Sequence, residues 1–188
     1  MNGGPRHPSH WHRRRWDVAV SVAGVLMLAT LAACEAIGLR FNATVSMPRG
    51  LWTVRAGEPI ERGEIVTVCP PDRADIREAA QRGYIPNGVC SRGYEPLVKS
   101  VAAVAGDLVT VTPRGITVDG HLVANTTPLS EDDRGRPLRP IPIGAYRVAP
   151  GEIWLLSGHD PRSFDSRYFG AVPAANVTGV ARPLWVLR

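Results

Sequence analysis

Two residues in this chain are of the types needed to break a peptide bond without a metal. Ser46 lies in Thr44-Val45-Ser46-Met47-Pro48-Arg49-Gly50-Leu51-Trp52, a short turn-forming segment after an apolar run. We read it as a nucleophile. Lys99 lies in Pro96-Leu97-Val98-Lys99-Ser100-Val101, where a single amine interrupts a strand-like apolar run. Of the 22 basic side chains Lys99 is the only lysine, and the other 21 are arginines, which cannot give up their proton in a protein. Only Lys99 can therefore serve as an amine base. A genome rich in G+C would also favour arginine and leave a lone lysine by accident; the apolar neighbours Leu97, Val98 and Val101 point to chemistry instead. Partial burial disfavours the ammonium. Bringing a lysine from about 10.4 to near 7 takes roughly 4–5 kcal/mol of differential interaction, and such an amine can accept a serine proton.

Other chemistries fit less well. His159-Asp160 could suggest a Ser-His-Asp triad, but adjacent residues do not readily place the carboxylate behind the imidazole ring. His121 and His159 are isolated and His7, His10 and His12 sit near the N-terminus, so the spacing predicts no metal site, and no cofactor motif is present. The formal charge of +5 comes largely from Arg6, Arg13, Arg14 and Arg15. No basic stripe interleaves with aromatics, which argues against nucleic acid.

The 188 residues, 44% of them hydrophobic, allow one domain with a core plus a terminal appendage. Residues 1–16 read as a disordered, basic, cytoplasmic tail. Residues 17–39 read as a transmembrane anchor built on the uncharged run Val18–Cys34, with Trp11 and Trp16 suited to the membrane interface. Arginines on its N-terminal side predict that residues 40–188 lie outside the inner membrane, in the periplasm. Two other readings of the segment stand beside this one. Leu31-Ala32-Ala33-Cys34 is similar to a lipobox, in which Cys34 would be acylated, and a twin-arginine leader is disfavoured by Trp16-Asp17.

Beyond residue 50 the pattern is mainly β. Glu64–Val68, Leu108–Thr112, Gly115–Val118 and Ile153–Leu156 are short β-branched or apolar runs, and Val118-Asp119-Gly120-His121 marks a hairpin. Asp72–Gln81 alone reads as a helix, with Asp72 as its cap and Gly83 beyond its end. Ser130–Pro142 reads as a surface excursion. Cys69 and Cys90 fall on the oxidising side, where a disulfide would pin that helix as a flap; two free thiols are the alternative.

Ser46-Met47-Pro48-Arg49-Gly50, then Lys99 with Ala105-Gly106-Asp107 behind it, then Gly158-His159-Asp160-Pro161-Arg162-Ser163-Phe164-Asp165-Ser166-Arg167-Tyr168-Phe169-Gly170, resembles the signal peptidase I superfamily. The likeness is to its conjugative-transfer branch, the TraF-type pilin-processing peptidases. It implies a coiled β-sheet catalytic domain behind one transmembrane helix, with Ser46 as acyl-forming nucleophile and Lys99 as general base. It further implies an oxyanion hole from the Ser46 N–H and the Thr44 hydroxyl, and a turn shaped by Met47 and Pro48 at the substrate. Ser163 would orient the lysine while Asp165 and Arg167 brace the site. Two apart, Asp165 and Arg167 would face the same side of a strand and form a scaffold ion pair. The implied substrate is a pilin precursor, matured by hydrolysis or by ring closure, with other conjugation proteins as partners. General leader peptidases carry an additional β domain for which this chain has no room. A general signal peptidase and a non-catalytic assembly factor remain the alternatives, while the anchor argues against a cytosolic self-cleaving repressor.

Overall fold

The computed structural model describes residues 10–187, with side chains from Arg15 onward. The chain divides into two units at Leu39/Arg40. The first holds helix α1 (His10–Ala36), which begins inside the stretch expected to lack structure. Residues 1–9 and the side chain of Trp11 lie outside what is described. From Arg15 to Ala36 the helix runs 22 residues, longer than the uncharged run alone. At 1.5 Å per residue that is about 33 Å, enough to cross a hydrocarbon core about 30 Å thick. Its apolar side chains, Leu26, Leu28 and Leu31 among them, are exposed, and so is Trp16.

The second unit is mainly β. In chain order it contains β1 (Leu39–Asn42, from Arg40 onward), β2 (Gly50–Arg55), β3 (Ile65–Val68), α2 (Ala74–Gln81), β4 (Leu97–Ala103), β5 (Leu108–Thr112), β6 (Gly115–Val118) and β7 (His121–Leu122). Then come β8 (Gly144–Arg147), β9 (Glu152–Leu156), α3 (Ser166–Phe169), β10 (Val172–Pro173), a 3-10 turn (Ala174–Asn176) and β11 (Val177–Val186). A seven-stranded sheet has the order β1-β2-β11-β3-β4-β9-β10, and a four-stranded sheet the order β7-β6-β5-β8. The β6–β7 turn is the expected hairpin: Val118 pairs with His121, and Asp119 and Gly120 both take positive φ (49° and 82°), as a two-residue primed turn requires.

Strand β9 belongs to two cores at once. Ile153 and Leu155 enter one cluster with Val66, Val101, Val172 and Val180; Trp154 and Leu156 enter another with Val109, Val111, Ile116 and Val118. Alternate side chains point to opposite faces of a strand, so an unbroken apolar run is what a strand between two cores needs. Its partner β4 reaches both clusters by a register shift between Val101 and Ala103, placing Val101 in the first and Ala103 in the second.

Several elements depart from the sequence pattern. Strand β11 was masked by Gly179 and Pro183. A Cβ at Gly179 would lie 2.7 Å from Val54 and 2.8 Å from the Arg55 carbonyl, so the close approach of β2 demands glycine there. Pro183 falls beyond the part of β11 that β3 pairs, beside a register shift against β2, where a missing N–H is tolerated. Helix α2 has Arg73, not Asp72, at its N-cap. Asp72 instead pairs with Arg77 and Arg92, and the Asp75 carboxylate accepts from the Ile76 N–H.

Cys69 and Cys90 form a disulfide that encloses α2. Closing a 21-residue separation removes unfolded-chain entropy worth about 3 kcal/mol. Cys69→Ser with Cys90→Ser is expected to lower stability by about that amount, read from urea unfolding of the full chain in detergent. A midpoint unchanged from the oxidised protein would contradict it.

Candidate active site

The turn carrying Ser46 is organised by Asn42, the last residue of β1. Its side-chain amide donates to the carbonyls of Thr44 (3.2 Å), Met47 (3.0 Å) and Pro48 (3.1 Å). Its oxygen accepts from the Thr44 N–H (3.1 Å) and the Thr44 hydroxyl (2.8 Å). One buried side chain thus replaces the regular ladder that a seven-residue turn cannot make. Met47 is 5% exposed and packs with Trp52 and Ala181, so its side chain anchors the turn from below. The Pro48 carbonyl also accepts from the Trp52 indole N–H at 3.1 Å. Gly50 ends the turn at φ 143°, where a Cβ would fall 2.1 Å from the Trp185 carbonyl, so β11 can pair here only against glycine.

Lys99 sits in β4 on the face that carries Leu97 and Val101, with Val66 as its cross-strand partner. Three apolar neighbours leave it 3% exposed. Its Nζ donates to Ser163 Oγ at 2.9 Å. Burial lowers its pKa from 10.5 to about 8; Asp165 and Asp160 act to raise it and Arg167 to lower it. Desolvation dominates because Asp165 and Arg167 offset one another. A lone carboxylate at this depth would hold the amine charged.

Asp165 and Arg167 do not lie on a strand, as expected from their spacing. Asp165 is the N-cap of α3, accepting from the Arg167 backbone N–H at 3.1 Å, and Arg167 is in the same short helix. Both are fully buried. Arg167 Nε donates to Asp165 Oδ1 (2.8 Å) and Nη2 to Oδ2 (2.9 Å), a planar two-bond pair. Nη2 also donates to the Ser163 carbonyl (2.8 Å), and Nη1 to those of Pro161 (2.6 Å) and Asn125 (3.0 Å). All five guanidinium protons are thereby used. Asp165 Oδ2 also accepts from the Ser157 N–H at 2.9 Å, and Ser166 Oγ from the Leu155 N–H at 2.9 Å. Side chains of α3 therefore satisfy β9 beyond the end of β10.

Of the residues singled out in the sequence, Lys99, Ser163, Asp165 and Arg167 form one connected group. Ser46 joins it through Ser157, whose hydroxyl donates to the Ser46 carbonyl. Among the described residues no hydrogen bond links Ser46 Oγ to Lys99 Nζ directly. The Thr44 hydroxyl is exposed and engaged with Asn42. Two residues escaped sequence reasoning. Asn42 had a signal, an Asn two residues before a Thr in a turn segment; Ser157, a serine after an apolar strand, had none.

The family model for signal peptidases, peptidase S26, matches residues 13–186. The chain is 39% identical over 167 residues to the conjugal transfer protein TraF of Agrobacterium fabrum, covering 88% of this chain and 93% of that relative. It is 38% identical over 172 residues to a plasmid transfer protein TraF of Escherichia coli, covering 91% and 96%. Among solved structures, a signal peptidase I from Enterococcus faecalis V583 matches with TM-score 0.37 and 22% identity, covering 67% of this chain and 98% of that one.

The burial of Lys99 has a measurable cost. With the folded pKa at about 8 and the ordinary value at 10.5, the unfolded chain holds more protons between those limits, so stability rises with pH there. Below about 8 the penalty is about 3 kcal/mol. Lys99→Met, similar in length and uncharged, is expected to be more stable than the native protein by about 1–3 kcal/mol at pH 6.5. That gap should narrow by pH 9.5. Urea unfolding of both proteins at the two pH values measures it, and a gap independent of pH would refute a depressed lysine.

Proposed function

Since the chain belongs to the signal peptidase S26 family, whose members are serine peptidases, we propose that it cleaves its substrate with Ser46 as nucleophile and Lys99 as general base. The observation that carries this reading is the buried amine of Lys99, oriented by Ser163 and held near pKa 8 by its apolar surroundings. A base with that pKa is about one-fifth neutral near pH 7.4, roughly two hundred times the neutral fraction of an ordinary lysine. In the first step Ser46 Oγ bonds to the scissile carbonyl carbon while its proton passes to Lys99 Nζ. The oxyanion is received by the Ser46 N–H, with the Thr44 hydroxyl as second donor once it turns from Asn42. Collapse breaks the C–N bond, and Lys99 returns the proton to the leaving amine. Water, or the N-terminal amine of the acylated chain itself, then attacks the acyl carbon as its proton passes to Lys99. The C–Oγ bond breaks while Lys99 returns that proton to Ser46 Oγ.

The substrate we assign is a pilin precursor of a conjugative apparatus. Support comes from the relatives, which are named conjugal and plasmid transfer proteins and match along most of their length. The chain is anchored by α1 in the inner membrane with residues 40–188 in the periplasm. The arginines at the N-terminal side of the apolar span and the disulfide in the second unit both support that orientation. A general signal peptidase is the second reading, favoured by the breadth of the family match.

Intact-mass analysis of the pilin subunit from cells carrying native protein, Ser46→Ala or Lys99→Arg tests the proposal. Native protein should yield mature subunit and both variants only precursor. A mature mass one water below the linear product indicates ring closure, and the full linear mass indicates hydrolysis. In membranes, precursor cleavage should rise with pH through about 8, as the lysine loses its proton. Normal maturation in both variants would remove the Ser-Lys assignment.

A further inference from the structure

The proposed nucleophile and base belong to segments far apart in the chain, and one side chain bridges them. Ser157 follows directly on β9, whose Leu155 is paired with Val101 of β4. Both of those side chains lie in the first core. One pleat further along that face, β4 carries Lys99 and β9 runs out into Ser157, so the register sets the two positions beside one another where β9 ends. Ser157 is fully buried. Its backbone N–H goes to Asp165 Oδ2 (2.9 Å), its hydroxyl donates to the Ser46 carbonyl, and the same oxygen accepts from the Asp160 N–H (3.3 Å).

We propose that Ser157 is a positioning residue for catalysis, aiming Ser46 by holding its carbonyl. The inference rests on the Ser-Lys reading above. A hydroxyl has one proton, and Asp160 supplies the bond that turns that proton toward Ser46. Holding the Ser46 carbonyl fixes the rotation of its peptide plane and so limits where the Cα–Cβ bond and Oγ point. The other bonds to this turn come from residues close in sequence: Asn42 and Trp52 hold the carbonyls of Thr44, Met47 and Pro48, but neither holds that of Ser46. Beyond it, Leu187 bonds the Arg49 carbonyl, past the nucleophile. Ser157 therefore sets the nucleophile in the frame that Asp165, Arg167 and Ser163 provide for the lysine.

The test uses the full chain in detergent and a fluorophosphonate carrying a fluorescent group. In this reaction Ser46 Oγ bonds to phosphorus, fluoride leaves, and the serine proton passes to Lys99. Labelling rates are measured from pH 6 to 9.5 for native protein, Ser46→Ala, Lys99→Arg, Ser157→Ala and Ser157→Thr, alongside thermal unfolding. Ser157→Ala keeps the backbone bond to Asp165 and loses only the hydroxyl. It is expected to label about 10- to 100-fold more slowly, the scale of a misplaced reacting group, with the pH midpoint of the native protein and a similar unfolding temperature. Ser157→Thr, which restores a hydroxyl, should recover much of the rate. Labelling of Ser157→Ala at the native rate would overturn the proposal and leave the Ser-Lys reading standing. So would a slower rate accompanied by a shifted pH midpoint, since Ser157 would then act on the lysine, or by a large fall in unfolding temperature. Failure of native protein to label, or equal labelling of Ser46→Ala, would overturn the Ser-Lys reading and this proposal with it.

Discussion

The buried pair of Asp165 and Arg167 is the constraint around which the second unit is arranged. An arginine removed from water costs many kcal/mol unless every donor is met, and here the carboxylate and three carbonyls meet all five. Those carbonyls come from Asn125, Pro161 and Ser163, so neutralising one side chain fixes the path of two loop segments. The carboxylate in turn closes the N-terminus of α3 and terminates β9. Such a pair adds little net stability compared with an apolar replacement. Its value lies in specifying one arrangement of the loops beside Lys99.

The same pair decides the electrostatics of the lysine. Two opposite charges side by side present a small net field to a third, so the surrounding apolar strand face governs the proton on Nζ. Structure and chemistry are coupled through this cancellation. A site stiff enough to orient an amine normally brings charges near it, and here those charges are balanced within a single hydrogen-bonded unit.

Lys99 was legible in the sequence because composition made it unique and its neighbours were apolar; Leu97 and Val101 share its strand face, while Val98 packs on the other side. The Cys69–Cys90 disulfide was one of two readings the sequence left open, two free thiols being the other, and the structure forms the bond. The hairpin at Asp119-Gly120 was readable because only a few residues tolerate its backbone angles. What could not be read were features decided by contacts distant in sequence. Gly179 and Pro183 argue locally against a strand, yet β11 is an interior strand of the large sheet, between β2 and β3, and β2 approaches too closely for any side chain at Gly179. Asp165 and Arg167 look alike on a strand or at a helix cap, since the one residue between them, Ser166, carries no period. Asn42 and Ser157 act through carbonyl groups, which every residue has, so side-chain chemistry gives no hint of their partners.

The bonds that Asn42 makes to the serine turn span six residues or fewer. The contact of Lys99 with Ser163 spans 64 residues, and that of Ser157 with Ser46 spans 111. Loop closure must precede contacts of long separation, so they form late. A chain emerging from its N-terminus can thus shape the serine turn early while the amine meets its orienting hydroxyl only after the β9–α3 segment has arrived. With the proposed Ser-Lys chemistry, the arrangement would withhold proton transfer from unfinished copies, making proteolytic competence a property of the completed sheet and not of the growing polypeptide.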